Sequence, residues 1–144
     1  MDVLGFNRVE LIVAPDQIDA AVKQFNEVLG THLVPPHAIA GQAVVSSTDF
    51  NGGIELVAPL DESHPMGKRL ATKGPGQIGP LVWEIADVDA ARTWLTEHNY
   101  KIMFEYDSSK GTEDEAKTGV YQLCLDPSEW FGYIVTLMHR NPVT

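Results

Sequence analysis

Residues 8–30 read RVELIVAPDQIDAAVKQFNEVLG, and this stretch decides the fold. Its first six residues, RVELIV, are rich in β-branched side chains and partly alternating, which predicts a strand. Pro15-Asp16 indicates a helix start, apolar residues recur at helical spacing over 18–29, and Gly30 predicts the helix end. The stretch therefore predicts a strand followed by an amphipathic helix.

The same pattern returns about 70 residues later, which indicates an internal repeat. Residues 81–99 read LVWEIADVDAARTWLTEHN, again a strand followed by a helix. The letters Ile18-Asp19-Ala20-Ala21 match Val88-Asp89-Ala90-Ala91, and a capping residue, Asp16 or Asp87, is predicted before each helix. In both strands the odd-numbered residues are predicted to pack under the helix, which leaves Arg8, Glu10 and Glu84 on the opposite face.

The remaining elements complete two β-α-β-β-β units. Further strands are predicted over 42–48, 53–57, 100–106, 120–125 and 132–138, a loop over 31–41, a short helix over 63–73 capped by Ser63, and a helical turn over 112–117. We predict a single α+β domain over 1–144, with repeat units at about 6–60 and 79–140 and a linker over 61–78. One curved, partly open, barrel-like sheet is expected, with helices outside and a central cavity.

Composition narrows the function classes. Ten Lys and Arg against twenty Asp and Glu give a net charge of -10, which argues against nucleic acid as a partner. No apolar run of about 18 residues exists, so no membrane span is expected. The single cysteine, Cys124, excludes an internal disulfide and is predicted to be a small buried hydrophobe; a cytoplasmic protein is expected.

Three stretches resemble one known family. They are residues 6–30, GIELVAPLDESHPMGKRLATKGPGQIGPLVWEIADVDAA (53–91) and LCLDPSEWFGYIVTL (123–137). They resemble the vicinal oxygen chelate superfamily, which includes glyoxalase I, bleomycin-resistance proteins and extradiol dioxygenases, and are nearest to its methylmalonyl-CoA epimerase-like branch. The resemblance implies a homodimer.

The resemblance also implies four metal-ligand positions, and this chain departs from them. They are occupied by Arg8, Glu55, Pro80 and Thr136. A cation, a proline and a hydroxyl are unsuited to a divalent metal, so no cofactor is expected, and Arg8 is predicted to take the metal position. A shifted oxygen site for Mg or Mn, made by Glu10 and Glu55 with Glu84, is the alternative.

The candidate site residues follow from these positions. Glu10 and Glu55 are the candidate catalytic residues, one of them a general base; alternatively Glu10 only balances Arg8. Arg8 is either a cationic anchor for an anionic substrate or part of a structural ion pair. The other candidate substrate-binding residues are Glu84, Thr136, Tyr121 and Trp130. The alternative for Thr136 is an ordinary strand residue, and for Tyr121 and Trp130 it is core packing. The histidines, His64 included, are predicted to be exposed.

Two functions remain open from the sequence. One is an isomerase, epimerase or lyase that transfers a proton next to a carbonyl or carboxylate of a small organic substrate. An anionic molecule with an apolar or aromatic part is the candidate substrate. The other is a non-catalytic binding protein of the bleomycin-resistance type that sequesters a small molecule.

Overall fold

The computed structural model describes residues 1–141. The strands are β1 (Val3–Ile12), β2 (His37–Ile39), β3 (Val44–Asp49), β4 (Ile54–Pro59), β5 (Ile78–Ile85), β6 (Ile102–Asp107), β7 (Val120–Leu125) and β8 (Val135–Arg140). The α-helices are α1 (Ile18–Leu29), α2 (Pro65–Lys73), α3 (Val88–Glu97) and α4 (Glu113–Ala116). This confirms the predicted α+β class.

The element order repeats as predicted. β1-α1-β2-β3-β4 and β5-α3-β6-β7-β8 each follow the order β-α-β-β-β. In both repeats the first and fourth strands pair in parallel, whereas the second pairs with the third and the third with the fourth in antiparallel fashion. The spatial strand orders, β2-β3-β4-β1 and β6-β7-β8-β5, are therefore the same.

The chain forms two compact units. One unit is Arg8–Pro80, and the other combines Met1–Asn7 with the chain from Leu81 onward. The first five residues of β1 thus belong to one unit and its last five to the other.

In the Arg8–Pro80 unit, α1 packs on one face of the sheet. Ile18 and Val22, one helical turn apart, are buried against Leu56 and Ala58 of β4 and against Leu33. The opposite face of β1 is also buried, since Ile12 is 1% exposed. Both faces of this strand are therefore shielded at its C-terminal end.

The second unit has the corresponding core. Ala91 and Leu95 of α3 are buried in a cluster with Ile85 of β5, and Trp83 packs against it. The other members of this cluster come from β7 and β8: Leu123, Leu125, Val135 and Leu137. The alternation predicted for β5 is therefore seen, and β8 alternates in the same way, with Thr136 and Met138 on the face away from α3. Cys124 is buried, as expected for a small strand residue.

Several element boundaries differ from the prediction. β1 begins five residues earlier, at Val3, and the three-residue strand β2 lies in the segment predicted as a loop. β8 begins at Val135, three residues later than predicted, because a hydrogen-bonded turn precedes it, in which the Gly132 N–H donates to the Pro127 carbonyl over 2.9 Å. The three-residue β2 is too short to show the alternation on which strand prediction depends.

Helix capping also differs in two of three cases. Asp87 caps α3 as predicted, since its carboxylate accepts the Ala90 N–H at 2.9 Å. The residue before α1 is Gln17, which makes no side-chain capping bond, so the prediction for Asp16 is wrong. The cap of α2 is His64 rather than Ser63, and His64 is buried, which corrects its predicted exposure.

No helix within residues 1–141 is both long enough and apolar enough to cross a membrane.

Candidate functional site

Three charged side chains meet on the face of β1 that points away from α1. Arg8 and Glu10 are two residues apart on β1 and share this face. Glu55 of β4 is the register partner of Glu10 in the parallel β1–β4 pair. All three are almost fully buried, at 3%, 3% and 6% exposed. We call Arg8, Glu10 and Glu55 the charged cluster.

The guanidinium of Arg8 binds both carboxyl groups. Its Nε donates to Glu55 Oε1 at 3.0 Å, and its Nη2 donates to Glu10 Oε2 at 3.1 Å. The Arg8 Cζ atom also lies 5.4 Å from the centre of the Phe50 ring, within range of a cation–π contact. Charge-assisted hydrogen bonds of this kind are about twice as strong as neutral ones.

A hydroxyl from the neighbouring strand completes the cluster. Thr48 of β3 is the antiparallel register partner of Glu55. Its Oγ1 donates to Glu55 Oε1 at 2.8 Å, so this one oxygen accepts from both Thr48 and Arg8. The carboxylate orientation is therefore set from two directions.

The surroundings of Glu10 favour its neutral form. Burial, and then the neighbouring Glu55 charge, raise the pKa of Glu10 well above its usual range, although Arg8 acts in the opposite direction. Burial alone would lower the pKa of Arg8, but Glu55 and Glu10 raise it, so the guanidinium stays charged. The cluster thus favours a neutral acid at Glu10 beside a cation, and a neutral carboxylic acid can give a proton.

The charged cluster does not fit the divalent metal that the resemblance implies. Arg8 donates to an oxygen of each carboxyl group, and a second cation beside this guanidinium would be repelled. Across the described part of the chain, no group of three or more His, Cys, Asp or Glu side chains is placed to hold a metal ion. The oxygen atoms of Glu10 and Glu55 are therefore arranged as in a salt-bridged cluster, not as metal ligands.

The equivalent position in the second repeat is uncharged. There the register pair of the first and fourth strands is Val82 and Thr136, where the first repeat has Glu10 and Glu55. Thr136 is 1% exposed, and its hydroxyl has no hydrogen-bond partner among residues 1–141. The charges are thus confined to one of the two repeats.

Tyr121 and Trp130, two other predicted site residues, lie on the helix-covered side of the second unit. The Tyr121 hydroxyl donates to Glu105 Oε2 at 2.8 Å and accepts from Arg92 Nη2 at 2.9 Å. Trp130 packs against the α3 cluster. Glu84 of β5 is partly buried and is the register partner of Met138. Of the predicted residues, the structure brings together Arg8, Glu10 and Glu55.

Trp130 also lines an apolar cavity of about 360 Å³ on this side of the second unit. Its other lining residues are Met1, Val3, Leu81, Trp83, Phe131, Tyr133, Val135 and Leu137. Phe131 lies at the rim and is 93% exposed. A volume of this size is at the small end of ligand pockets, and its walls suit an apolar ring.

Thr48 and Phe50 are functional candidates that sequence reasoning missed. A signal for Thr48 was present, because a two-residue turn at Asn51-Gly52 places residue 48 opposite residue 55. Phe50 directly follows β3, and β4 lies between β3 and the β1 residue Arg8, so no local sequence pattern indicates their contact.

Comparison with known proteins agrees with this architecture. Residues 9–121 match the family described as the Glyoxalase/Bleomycin resistance protein/Dioxygenase superfamily. An ethylmalonyl-CoA/methylmalonyl-CoA epimerase from Cereibacter sphaeroides is 30% identical over 128 residues, which is 88% of this chain and 91% of the relative.

Solved structures show the same fold. Methylmalonyl-CoA epimerase from Mycobacterium tuberculosis superposes with a TM-score of 0.77 at 24% identity, over 97% of this chain and 90% of the other. A methylmalonyl-CoA epimerase in complex with methylmalonyl-CoA and NH4+ gives 0.76 at 19% identity, over 99% and 98% of the two chains.

Proposed function

The chain belongs to the Glyoxalase/Bleomycin resistance protein/Dioxygenase superfamily, and from this premise we propose that it is an epimerase-type enzyme acting on a small acyl-CoA thioester. The curated relative, an ethylmalonyl-CoA/methylmalonyl-CoA epimerase similar over nine-tenths of its length, supports this substrate class. The reaction would move a proton at the carbon next to the thioester carbonyl.

The observation that carries the proposal is the charged cluster. Epimerisation requires a base that removes a proton from one face of the carbon and an acid that returns one to the other face. Glu10, whose pKa is raised by burial and by Glu55, would supply the acid, and Glu55 would act as the base. The Arg8 guanidinium would stabilise the negative charge that develops on the thioester oxygen when the proton leaves.

Deuterium exchange tests this function directly. We would incubate the protein with methylmalonyl-CoA or ethylmalonyl-CoA in D2O and follow deuterium at the carbon next to the thioester by NMR. Wild-type protein is expected to exchange this position faster than the protein-free control. Glu55→Gln and Glu10→Gln are each expected to slow exchange by about 100-fold or more, since an acid or base typically contributes about 100- to 10,000-fold.

A matched control tests whether slower exchange is specific to the charged cluster or follows from any glutamate substitution. Glu105→Gln changes a partly exposed glutamate of β6 that pairs with Arg92, outside the charged cluster, and should leave exchange unchanged. Exchange no faster than the control with either thioester, or equal exchange in all three variants, would contradict the proposal.

A second candidate, sequestration without chemistry, is favoured by the apolar cavity in the second unit. Tight binding of an apolar small molecule with no deuterium exchange would support it. Substitution of Val3 by Trp, which enlarges a lining residue of the cavity, should then weaken binding.

A further inference from the structure

We propose that the Arg8 side chain is the built-in cation of the Glu10–Glu55 carboxyl pair, so that the charged cluster binds no divalent metal unless the guanidinium is removed. This inference rests on the proposed function only in taking the same cluster as the site. Its test measures metal binding and thermal stability instead of deuterium exchange. The failure of one proposal can therefore be distinguished from the failure of the other.

The way the strands place the carboxyl pair favours a positive charge beside it. Glu10 and Glu55 are register partners on adjacent strands, and both are buried. Two carboxyl groups this close in a low-dielectric environment are stable only when one is protonated or a positive charge lies between them. Arg8 supplies that charge from the same strand as Glu10, with one nitrogen for each carboxyl group.

The Arg8 guanidinium is held in place by several contacts. Besides the two carboxyl groups, the Phe50 ring lies 5.4 Å from its Cζ atom. An arginine stays protonated at any physiological pH, and as part of the chain it is always present at the site, unlike a dissociable ion. A divalent ion would have to displace it or sit beside it, and both are costly.

Removing the guanidinium would leave a different site. The oxygens of Glu10, Glu55 and Thr48 would then face the space that Arg8 had occupied. Such oxygen donors suit Mg²⁺, Mn²⁺ or Ca²⁺, and a free guanidinium ion would match the lost group in shape and charge. The Arg8→Ala variant should therefore acquire cation binding that the wild-type protein lacks.

The experiment compares Tm and metal content in wild-type protein and Arg8→Ala. Wild-type Tm is expected to be unchanged by Mn²⁺ and by EDTA, with no stoichiometric metal in the purified protein. The Arg8→Ala variant should have a lower Tm. The Tm of this variant should rise by about 5 °C or more on addition of Mn²⁺ or of about 10 mM guanidinium, a concentration far below the denaturing range. The rise should reach a plateau as the cation concentration increases.

Two controls make the result specific. Arg92→Ala removes another arginine that binds two carboxylates, Asp89 and Glu105, but at the surface, where water replaces the lost contacts. Its Tm should not respond to either cation. Arg8→Ala combined with Glu55→Gln removes one carboxylate of the pair and should abolish the response.

The opposite results would overturn the inference. They are a stoichiometric metal in wild-type protein, a wild-type Tm that falls with EDTA, no response of Arg8→Ala to either cation, or an equal response of Arg92→Ala. If Arg8→Ala does not fold alone, refolding with Mn²⁺ or guanidinium replaces the Tm measurement. Recovery of folded protein only with a cation then supports the inference, and no recovery with either cation refutes it.

Discussion

At the scale of single residues, substitution of Glu10 and of Glu55 should change the free energy of unfolding by different amounts. Glu10→Gln replaces a carboxyl group that already favours its neutral form, because burial and then Glu55 raise its pKa. Glu55→Gln instead removes a carboxylate that Arg8 Nε binds at 3.0 Å. We expect Glu55→Gln to lower the free energy of unfolding by about 3 kcal/mol, as for a broken buried ion pair, and Glu10→Gln to change it much less. Urea unfolding at pH 7 measures both, and equal losses would contradict the assignment.

The pH dependence of this difference has a definite sign. A carboxyl group whose pKa is raised on folding contributes stability below its unfolded pKa, and that contribution is lost as the pH rises through the folded pKa. Glu10 is such a group. Glu10→Gln should therefore become more stable relative to wild-type protein between pH 5 and pH 8, and a trend in the opposite direction would refute the raised pKa.

Two threonines provide a second comparison at this scale. The Thr48 hydroxyl donates to Glu55 at 2.8 Å, whereas the buried Thr136 hydroxyl has no partner within residues 1–141. Thr48→Val should cost about 2 kcal/mol, because a hydrogen bond to a charged group is lost. Thr136→Val should be neutral or stabilising, since it removes an unsatisfied buried hydroxyl. Unfolding curves of the two variants test this, and a larger loss for Thr136→Val would contradict it.

At the scale of secondary-structure elements, the N-terminus of α2 should be sensitive to acid. Its cap, His64, accepts the Met66 N–H through Nδ1, and burial lowers the pKa of this histidine to about 4. A base whose pKa falls on folding does not destabilise the folded state above its unfolded pKa. As the pH falls below that value, the unfolded state binds the proton more readily, and the free energy of unfolding decreases. From the two pKa values, lowering the pH from 7 to 5 should cost about 2 kcal/mol of unfolding free energy through this residue.

His64→Asn is the variant that checks this loss. Asparagine keeps a side-chain acceptor for the helix cap but does not titrate. The decrease in unfolding free energy between pH 7 and pH 5 should therefore be smaller in His64→Asn than in wild-type protein. An identical decrease in both would show that His64 is not the acid-sensitive group.

Sequence alone predicts the elements better than it predicts their ends. The helical period identified α1 and α3, and alternation identified the buried face of β5, because these patterns persist over many residues. The charged cluster was predictable in part: spacing along β1 placed Arg8 and Glu10 on one face. The contacts of Thr48 and Phe50 with the charged cluster depend on the pairing of strands. The burial of His64 depends on packing around α2. A local sequence pattern predicts neither of them.

At the scale of the whole molecule, residues 1–7 should stabilise the unit formed with Leu81 onward. The Phe6 ring meets Trp83 edge to face, with 5.2 Å between ring centres, and the Ala86 N–H donates to the Asp2 carbonyl at 3.0 Å. Phe6→Ala should cost about 1 kcal/mol of unfolding free energy, the usual worth of an aromatic pair.

Phe131→Ala is the control for this prediction. Phe131 belongs to the same unit but is 93% exposed, so its loss should change the unfolding free energy by less than about 0.5 kcal/mol. Denaturant unfolding followed by circular dichroism compares the two. A loss for Phe131→Ala as large as that for Phe6→Ala would contradict the specific role of the Phe6–Trp83 pair.

The expected homodimer stays a prediction, which sedimentation of the wild-type protein tests.

The division of β1 between two units has a consequence for biosynthesis. The Arg8–Pro80 unit is continuous in sequence, so all of its residues have left the ribosome once Pro80 emerges. Residues 1–7 instead belong with partners translated more than 70 positions later, a delay of several seconds at about 5 to 20 residues per second. During that interval the exposed apolar side chains at the start of the chain, Phe6 among them, have no partners of their own unit. Residues 1–7 are thus made well before the partners they pack with, and nascent chains should be most vulnerable to aggregation or proteolysis in that interval.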